Sequence, residues 1–371
     1  MENSHTQRVY FPALDGLRFL AFLLVFYNHL PHIKTIPITG VLREYGWVGV
    51  DLFLCLSAYL FTKLLFVEFQ GRGEIHIPYF YLRRLLRIWP LYYFYFFLSL
   101  ALLLPTEAVG PDMWRRAFGM VTFTDNIYAA IYGFNIFFSP HLWTISYEEQ
   151  FYLVIPWFLQ KMFALRRSQQ IFILAFIFLV GSCIRAVFIV FHIHHPAIYV
   201  LPITHFEAIL GGLAVGLDIF HGRFSRLWCW MTLAGGILLL SLLPLLAEVT
   251  FIGWQLMLVY PLVGGGMMLI LLAVVKGEQT LFAKLLRWPV LTYLGKISYG
   301  LYVYQFIGVR NGYQLAAWVG ITAKRLVVFP LSVFGFGLLT TISIAALSYQ
   351  LLERPFLKLK HRFSLVYSRP V

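Results

Sequence analysis

Two polar residues in the first apolar run, Arg18 and His29, have the types and spacing that could support chemistry. They are eleven positions apart, and eleven helical steps of about 100° return to nearly the same face with a rise of roughly 16 Å. Charged groups inside apolar runs are costly and are functional candidates by default. An imidazole suits proton or group transfer, so we predict a catalytic His29 and an Arg18 that binds a cytoplasmic ligand. The alternative is an ion pair between Arg18 and Asp15, with His29 simply at the membrane interface.

A second candidate is the basic segment around Arg83, Arg84 and Arg87, which precedes an aromatic apolar run. Arg84 and Arg87 are three positions apart and share a helix face. Guanidinium groups match phosphate oxygens, so we predict that this pair, with Lys296, binds a phosphate-bearing cytosolic ligand. The alternative is an anchor for anionic lipid headgroups.

Glu148 and Glu149 form a third candidate, because they lie within the aromatic run that begins at Trp143. Burial of carboxyl groups prepares them for acid–base work or for orienting a histidine. With Asp51 they are the predicted catalytic carboxylates. A salt bridge to Arg185 and a proton site of a transporter are the alternatives.

The remaining candidates lie in or beside apolar runs, and we assign them to acceptor binding or to structural polar contacts. They are Asp15, Ser57, Trp143, Arg185, His205, Glu207, Ser298, Tyr299 and Gln305. No metal site is predicted, since His192, His194 and His195 have no convincing partner carboxylate or cysteine.

Composition then identifies the elements that must position these residues. The 371 residues are 60% hydrophobic and only 12% charged, whereas soluble domains carry about 25% charged residues. This excludes a soluble enzyme and makes the net charge of +13 a poor argument for nucleic-acid binding. We predict an all-α, polytopic membrane protein of about ten transmembrane helices. The predicted spans are 13–31, 47–67, 88–104, 142–164, 170–191, 202–220, 228–247, 251–275, 290–309 and 327–352.

The distribution of Lys and Arg predicts the orientation. With the N-terminus inside, the cytoplasmic segments hold eighteen of these residues and the opposite side holds seven, so both termini are predicted to be cytoplasmic. This orientation predicts two depth layers. The residues predicted near the inner ends of the spans are Arg18, Arg83, Arg84, Arg87 and Lys296. Those predicted towards the outer ends are His29, Asp51, Glu148, Glu149, Arg185, His205, Glu207 and Gln305.

The organisation predicted along the chain is simple. Residues 1–371 form a single membrane domain with its core at about 11–356, and residues 357–371 are a short basic cytoplasmic tail. The aromatic but polar stretch 113–138 is interpreted as a loop with an interfacial or re-entrant segment.

Six short motifs, in this order, resemble those of the acyltransferase-3 family of integral membrane acyltransferases. They are Leu14-Asp15-Gly16-Leu17-Arg18 followed by His29, the segment from Gly49 to Ser57, Arg84 to Pro90, Trp143 to Tyr152, Ile297 to Tyr302, and Glu353-Arg354-Pro355. The resemblance covers residues 11 to 356, nearly the whole chain.

The resemblance implies ten core spans and no permanently bound cofactor. It implies acyl-CoA, most often acetyl-CoA, as a cytosolic co-substrate, and a hydroxyl of a glycan, lipid-linked saccharide, lipopolysaccharide or related acceptor as the recipient. His29 would be the general base or a transient acyl carrier. Arg18, Arg84 and Arg87 would bind the donor, and Glu148 or Glu149 would support the site. Family habit also implies multi-pass insertion, among membrane lipids, in a bacterial inner membrane.

Three positions depart from the family pattern. Gln305 stands where many members carry a histidine, Ala58 replaces a glycine, and His205 replaces an arginine that often precedes an acidic residue. These departures leave the acceptor open. The competing interpretation is a proton-coupled secondary transporter or flippase, with the in-membrane carboxylates as proton sites.

Overall fold

The computed structural model describes residues 10–33, 36–103, 110–134, 139–246 and 249–363, and every regular element in these ranges is helical. The α-helices are α1 (Pro12–Asn28), α2 (Pro37–Tyr45), α3 (Val48–Arg72), α4 (Ile77–Leu103), α5 (Pro111–Val121), α6 (Asp125–Tyr132), α7 (Trp143–Phe163), α8 (Arg167–Val190), α9 (Ala197–Val200), α10 (Glu207–Gly216), α11 (Arg226–Ser241), α12 (Leu256–Lys276), α13 (Leu281–Leu286), α14 (Pro289–Lys296), α15 (Ser298–Trp318), α16 (Val328–Ser348) and α17 (Arg354–Lys360). A π-helical segment, Tyr349–Glu353, joins the last two. The predicted all-α class is confirmed.

Six helical segments of the described chain are long and apolar enough to cross a membrane. They contain α3, α4, α8, α11, α12 and α16, which supports a multi-pass membrane protein. The total of ten spans and the orientation of the termini stay predictions.

Two of the predicted spans are not single continuous helices in the structure. The run 202–220 contains α10, whose ten residues extend only about 15 Å against a hydrocarbon core of about 30 Å. The run 290–309 is divided at Ile297, where α14 ends and α15 begins. In the predicted loop 113–138, the structure has the short helices α5 and α6, and residues 135–138 lie outside the described ranges.

The chain divides into two compact units. The His29 unit comprises residues 11–53 and 278–355, and the Arg84 unit comprises the described residues among 1–10, 54–277 and 356–371.

In the His29 unit, α1 crosses α13 and α14 at backbone contact. A Cβ atom at Gly16 would lie 2.1 Å from the carbonyl oxygen of Leu286, and one at Gly295 would lie 1.8 Å from that of Asp15. Only glycine permits this approach, which is a common way to pack helices where lipid supplies no hydrophobic driving force. The two glycines therefore hold the start of α1, which carries Asp15 and Arg18, against α14.

In the Arg84 unit, α10 is wedged against α3 and α12. A Cβ atom at Gly212 would lie 2.2 Å from the carbonyl oxygen of Cys55, and one at Gly264 would lie 2.4 Å from the Cβ of Glu207. A buried ion pair of 3.0 Å between Arg83 and Glu68 joins the start of α4 to the end of α3. These contacts fix the helices that carry the polar candidates of this unit.

Candidate active site

His29 follows the last turn of α1, and its ring has a defined orientation. The Nδ1 atom lies 2.7 Å from the carbonyl oxygen of Val25. A carbonyl oxygen can only accept, so Nδ1 carries the proton and Nε2 presents its lone pair in the neutral ring. Phe306 of α15 packs edge-on against the imidazole, with the ring centroids 4.6 Å apart. The half-buried ring is thus held with Nε2 as the atom available for acid–base or nucleophilic chemistry.

Other candidates of the His29 unit lie on α1, on the first turn of α3 and on α14. Asp51 is 1% exposed and lies in the first turn of α3, where the helix dipole favours a carboxylate. Arg18 is half-buried on α1, one turn after buried Asp15. The Nζ atom of Lys296, at the end of α14, lies 5.3 Å from the centre of the Tyr349 ring.

The start of α15 carries the remaining candidates of this unit. Ser298 is buried at the first position of the helix, directly after the break at Ile297, and Tyr299 is half-buried beside it. Gln305 is completely buried two turns further along.

In the Arg84 unit, Arg84 is half-buried and is stacked on aromatic rings. Its Cζ atom lies 4.7 Å from the centre of the Phe61 ring and 5.9 Å from that of Phe80. A partly desolvated guanidinium on an aromatic face is attracted by the ring quadrupole. Ser57 is buried one turn before Phe61 on α3, and Arg87 is half-buried one turn after Arg84 on α4.

The two carboxylates of α7 belong to this same cluster. Tyr152 donates its hydroxyl proton to Glu148, and its ring packs edge-on against Phe61 at 5.0 Å. The indole of Trp89 donates a hydrogen bond to Glu149, which also interacts electrostatically with Arg84. One guanidinium and two carboxylates therefore share a site walled by aromatic rings.

This arrangement corrects the prediction of two depth layers for Arg84 and the glutamates. Helices α4 and α7 are antiparallel, because Tyr81 donates to the carbonyl oxygen of Leu153 while the later Trp89 reaches the earlier Glu149. Leu153 lies ten helical steps, about 15 Å, before the end of α7 at Phe163. Arg84 lies within α4 rather than before it, and its side chain interacts with Glu149. Arg84 is therefore beside the glutamates and not at the opposite end of α7.

Arg185 and Glu207 form a fully buried ion pair between α8 and α10. The guanidinium also donates to the carbonyl oxygen of Thr204 at 3.1 Å and lies 5.0 Å from the centre of the Tyr260 ring. Glu207 accepts from the backbone N–H of Phe206 at 3.0 Å. The partner of Arg185 is thus Glu207, and the alternative salt bridge to Glu148 or Glu149 is wrong.

His205 and Trp143 pack around this ion pair. The Nδ1 atom of His205 donates to the carbonyl oxygen of Tyr199 at 2.8 Å, and its ring lies 4.4 Å from that of Tyr260. Tyr147 donates to the carbonyl oxygen of His205. Trp143 packs edge-on against Tyr199 at 5.1 Å. Four candidates, Trp143, Arg185, His205 and Glu207, therefore meet in one buried cluster.

Sequence reasoning missed the aromatic residues that position the charged ones. Phe61, Trp89 and Tyr152 orient Arg84, Glu148 and Glu149, and Phe306 supports His29. Only Tyr152 offered a usable signal, since a tyrosine four positions after Glu148 faces it on a helix. The other contacts join distant segments and could not be found from spacing.

Comparison with known proteins agrees with the motifs. Residues 11–349 match the acyltransferase-3 family model, described as an acyltransferase domain. The chain is 28% identical to O-acetyltransferase OatA of Staphylococcus aureus strain NCTC 8325 over 383 residues, 96% of this chain and 59% of that protein. The protein of the same name from strain COL gives the same identity and coverage. The chain thus spans less than two thirds of these relatives, and no solved structure matches it significantly.

Proposed function

Because the chain belongs to the acyltransferase-3 family, we propose that it is an integral membrane O-acyltransferase. It transfers an acyl group, acetyl in the simplest case, from cytosolic acyl-CoA to a hydroxyl of a cell-surface glycan, lipopolysaccharide or related acceptor. The membrane we propose is the bacterial inner membrane. The observation that carries the proposal is the fixed imidazole of His29, whose Nδ1–H is held by Val25.

The hydrogen bond to Val25 makes Nε2 the reactive atom. In the general-base route, Nε2 takes the proton of the acceptor hydroxyl as its oxygen attacks the thioester carbonyl carbon. The carbon–sulfur bond then breaks, and the thiolate leaves and recovers that proton from the imidazolium. In the carrier route, Nε2 attacks the carbonyl carbon first and the carbon–sulfur bond breaks, so CoA leaves as a thiolate. The acceptor oxygen then attacks the acyl carbon, the carbon–Nε2 bond breaks, and the hydroxyl proton passes through Nε2 and neutralises the thiolate.

The first experiment supplies acetyl-CoA to membranes that contain the protein and measures free thiol and acetyl incorporation into glycans. We expect stoichiometric release of CoA and acetylation, and neither in membranes with His29→Ala. Intact thioester alongside movement of a solute down a proton gradient would instead indicate a transporter. A hydroxylamine-sensitive acyl group on His29, formed when acceptor is absent, would assign the carrier route.

For the donor, we propose that Arg84 and Arg87 bind phosphate groups of acyl-CoA. The support is that the Arg84 guanidinium is partly desolvated and is stacked on Phe61, which holds its N–H groups in a fixed plane. Such a group forms charge-assisted, often bidentate hydrogen bonds with phosphate. Glu149 would hold the positive charge in place while no donor is bound.

We expect Arg84→Ala and Arg87→Ala to weaken acyl-CoA binding by about 10- to 100-fold each, the size of a charged hydrogen bond. Arg84→Lys should restore only part of the affinity, because ammonium cannot form the bidentate contact. Lys358→Ala, which removes an exposed positive charge on α17, is the control for net charge. The measurement is the equilibrium binding of a non-hydrolysable acyl-CoA. Unchanged binding in both arginine variants would make the pair a membrane anchor.

A further inference from the structure

Gln305 is an isolated buried amide. Its side chain is 0% exposed, and within the described part of the chain neither Nε2 nor Oε1 has a hydrogen-bond partner. Buried polar groups are almost always paired, and an unpaired one calls for an explanation. Leucine or methionine would fill the same space without leaving two N–H groups and a carbonyl oxygen buried and without hydrogen bonds.

The neighbours of Gln305 on α15 show which way it faces. Gly308 and Gly312 meet α16, since Cβ atoms there would lie 1.8 Å from Oγ1 of Thr341 and 2.5 Å from the carbonyl oxygen of Val333. Phe306 meets the His29 ring. With about 100° per residue, Gln305 lies between the α16 contact and the His29 contact and nearer to the α16 contact.

A second glutamine, Gln150, has the hydrogen bonds expected of an amide that holds segments of the chain together. Nε2 of Gln150 donates to the carbonyl oxygen of Phe123 at 3.0 Å and to Oδ1 of Asn126 at 2.8 Å. Its Oε1 accepts from Nδ2 of Asn126 at 3.0 Å. Gln150 is only half-buried and yet its amide is fully hydrogen-bonded, whereas Gln305 is completely buried and has no hydrogen-bond partner among the described residues. A role in holding helices together therefore does not account for Gln305.

We propose that Gln305 binds the acceptor through a pair of neighbouring hydroxyl groups, as found in a saccharide. This proposal rests on the proposed function. The amide offers both a donor and an acceptor, and both are unpartnered. An alcohol also donates and accepts, so two adjacent hydroxyls satisfy Nε2–H and Oε1 together, while a thioester carbonyl could satisfy only Nε2–H. Hydroxyls bound by Gln305 would lie within one helical turn of Phe306, the α15 residue that contacts His29.

The first test compares the thermal stability of Gln305→Leu and Gln150→Leu with that of the parent protein, purified without acceptor. Because the Gln305 amide has no partner to lose, Gln305→Leu should raise Tm, and Gln150→Leu should lower it. Gln305→Met, which keeps the length of the side chain, should behave like Gln305→Leu. A fall in Tm for both Gln305 variants would show that the amide has a structural role and would overturn the proposal.

The second test measures binding of methyl β-glucoside, which has vicinal hydroxyls, by its effect on Tm, with 1-propanol as the matched single alcohol. The glucoside should stabilise the parent protein and should not stabilise Gln305→Leu, and propanol should stabilise neither. Equal stabilisation of both proteins by the glucoside would overturn the proposal. Neither readout uses acyl transfer, so failure of the proposed function would be recognised separately, by absent CoA release.

Discussion

Replacing His29 with alanine is expected to reduce acyl transfer by a factor of about 10² to 10⁴, which is the usual contribution of a positioned general base. The reason is that Nε2 is the ring atom left available once Nδ1–H is bound to the carbonyl oxygen of Val25. Initial rates of CoA release at saturating acetyl-CoA measure the effect. Donor binding should change little, because in our proposal the arginines hold the phosphates.

Two further variants test whether a loss of activity comes from the loss of Nε2 or from a disturbed fold. His29→Asn places an amide nitrogen near the position of Nδ1, so it can keep the bond to Val25, but it has no counterpart of Nε2 and should be as inactive as His29→Ala. His32→Ala, which removes a nearby imidazole bonded to Arg43 at 3.2 Å, should retain activity. Near-normal rates in His29→Asn would contradict a catalytic role for Nε2.

Removing the carboxylate of Glu207 is expected to destabilise the protein by about 3–5 kcal/mol, as when one partner of a buried ion pair is lost. Arg185 is 0% exposed, and Glu207→Ala would leave its charge buried with mainly the carbonyl oxygen of Thr204 as a partner. The backbone N–H of Phe206 would also lose its acceptor. Denaturant unfolding in detergent micelles, followed by tryptophan fluorescence, measures the loss.

Two further variants test whether the unpaired, buried charge of Arg185 causes the loss of stability in Glu207→Ala. The double variant Arg185→Met with Glu207→Leu removes both charges and should recover most of the stability, because the desolvation cost disappears with them. Asp112→Ala breaks an exposed pair with Arg115 and should cost less than about 1 kcal/mol. If Glu207→Ala were no more harmful than Asp112→Ala, water must reach Arg185 and the pair does not carry the packing of α8 on α10.

The amino-acid sequence by itself determined the class of protein and the residues worth testing. Apolar runs of about 20 residues with few charges predict membrane helices, because a helix satisfies every backbone N–H of its interior within its own segment. The order of the motifs around His29, Arg84, Glu148 and Ser298 indicated the family that the comparison then confirmed. These features are local, and local features can be identified without knowing how distant segments pack.

Only the tertiary structure decided which charges are partners. Spacing along the chain could not show that α4 runs antiparallel to α7 and brings Arg84 beside Glu149, nor that Arg185 pairs with Glu207 rather than with an α7 glutamate. The position of α10 against α3 and α12 depends on close contacts such as Gly212 on Cys55 and Gly264 on Glu207. Such contacts join segments far apart in sequence. Their geometry depends on the side-chain volumes of both segments, so it cannot be derived from either segment alone.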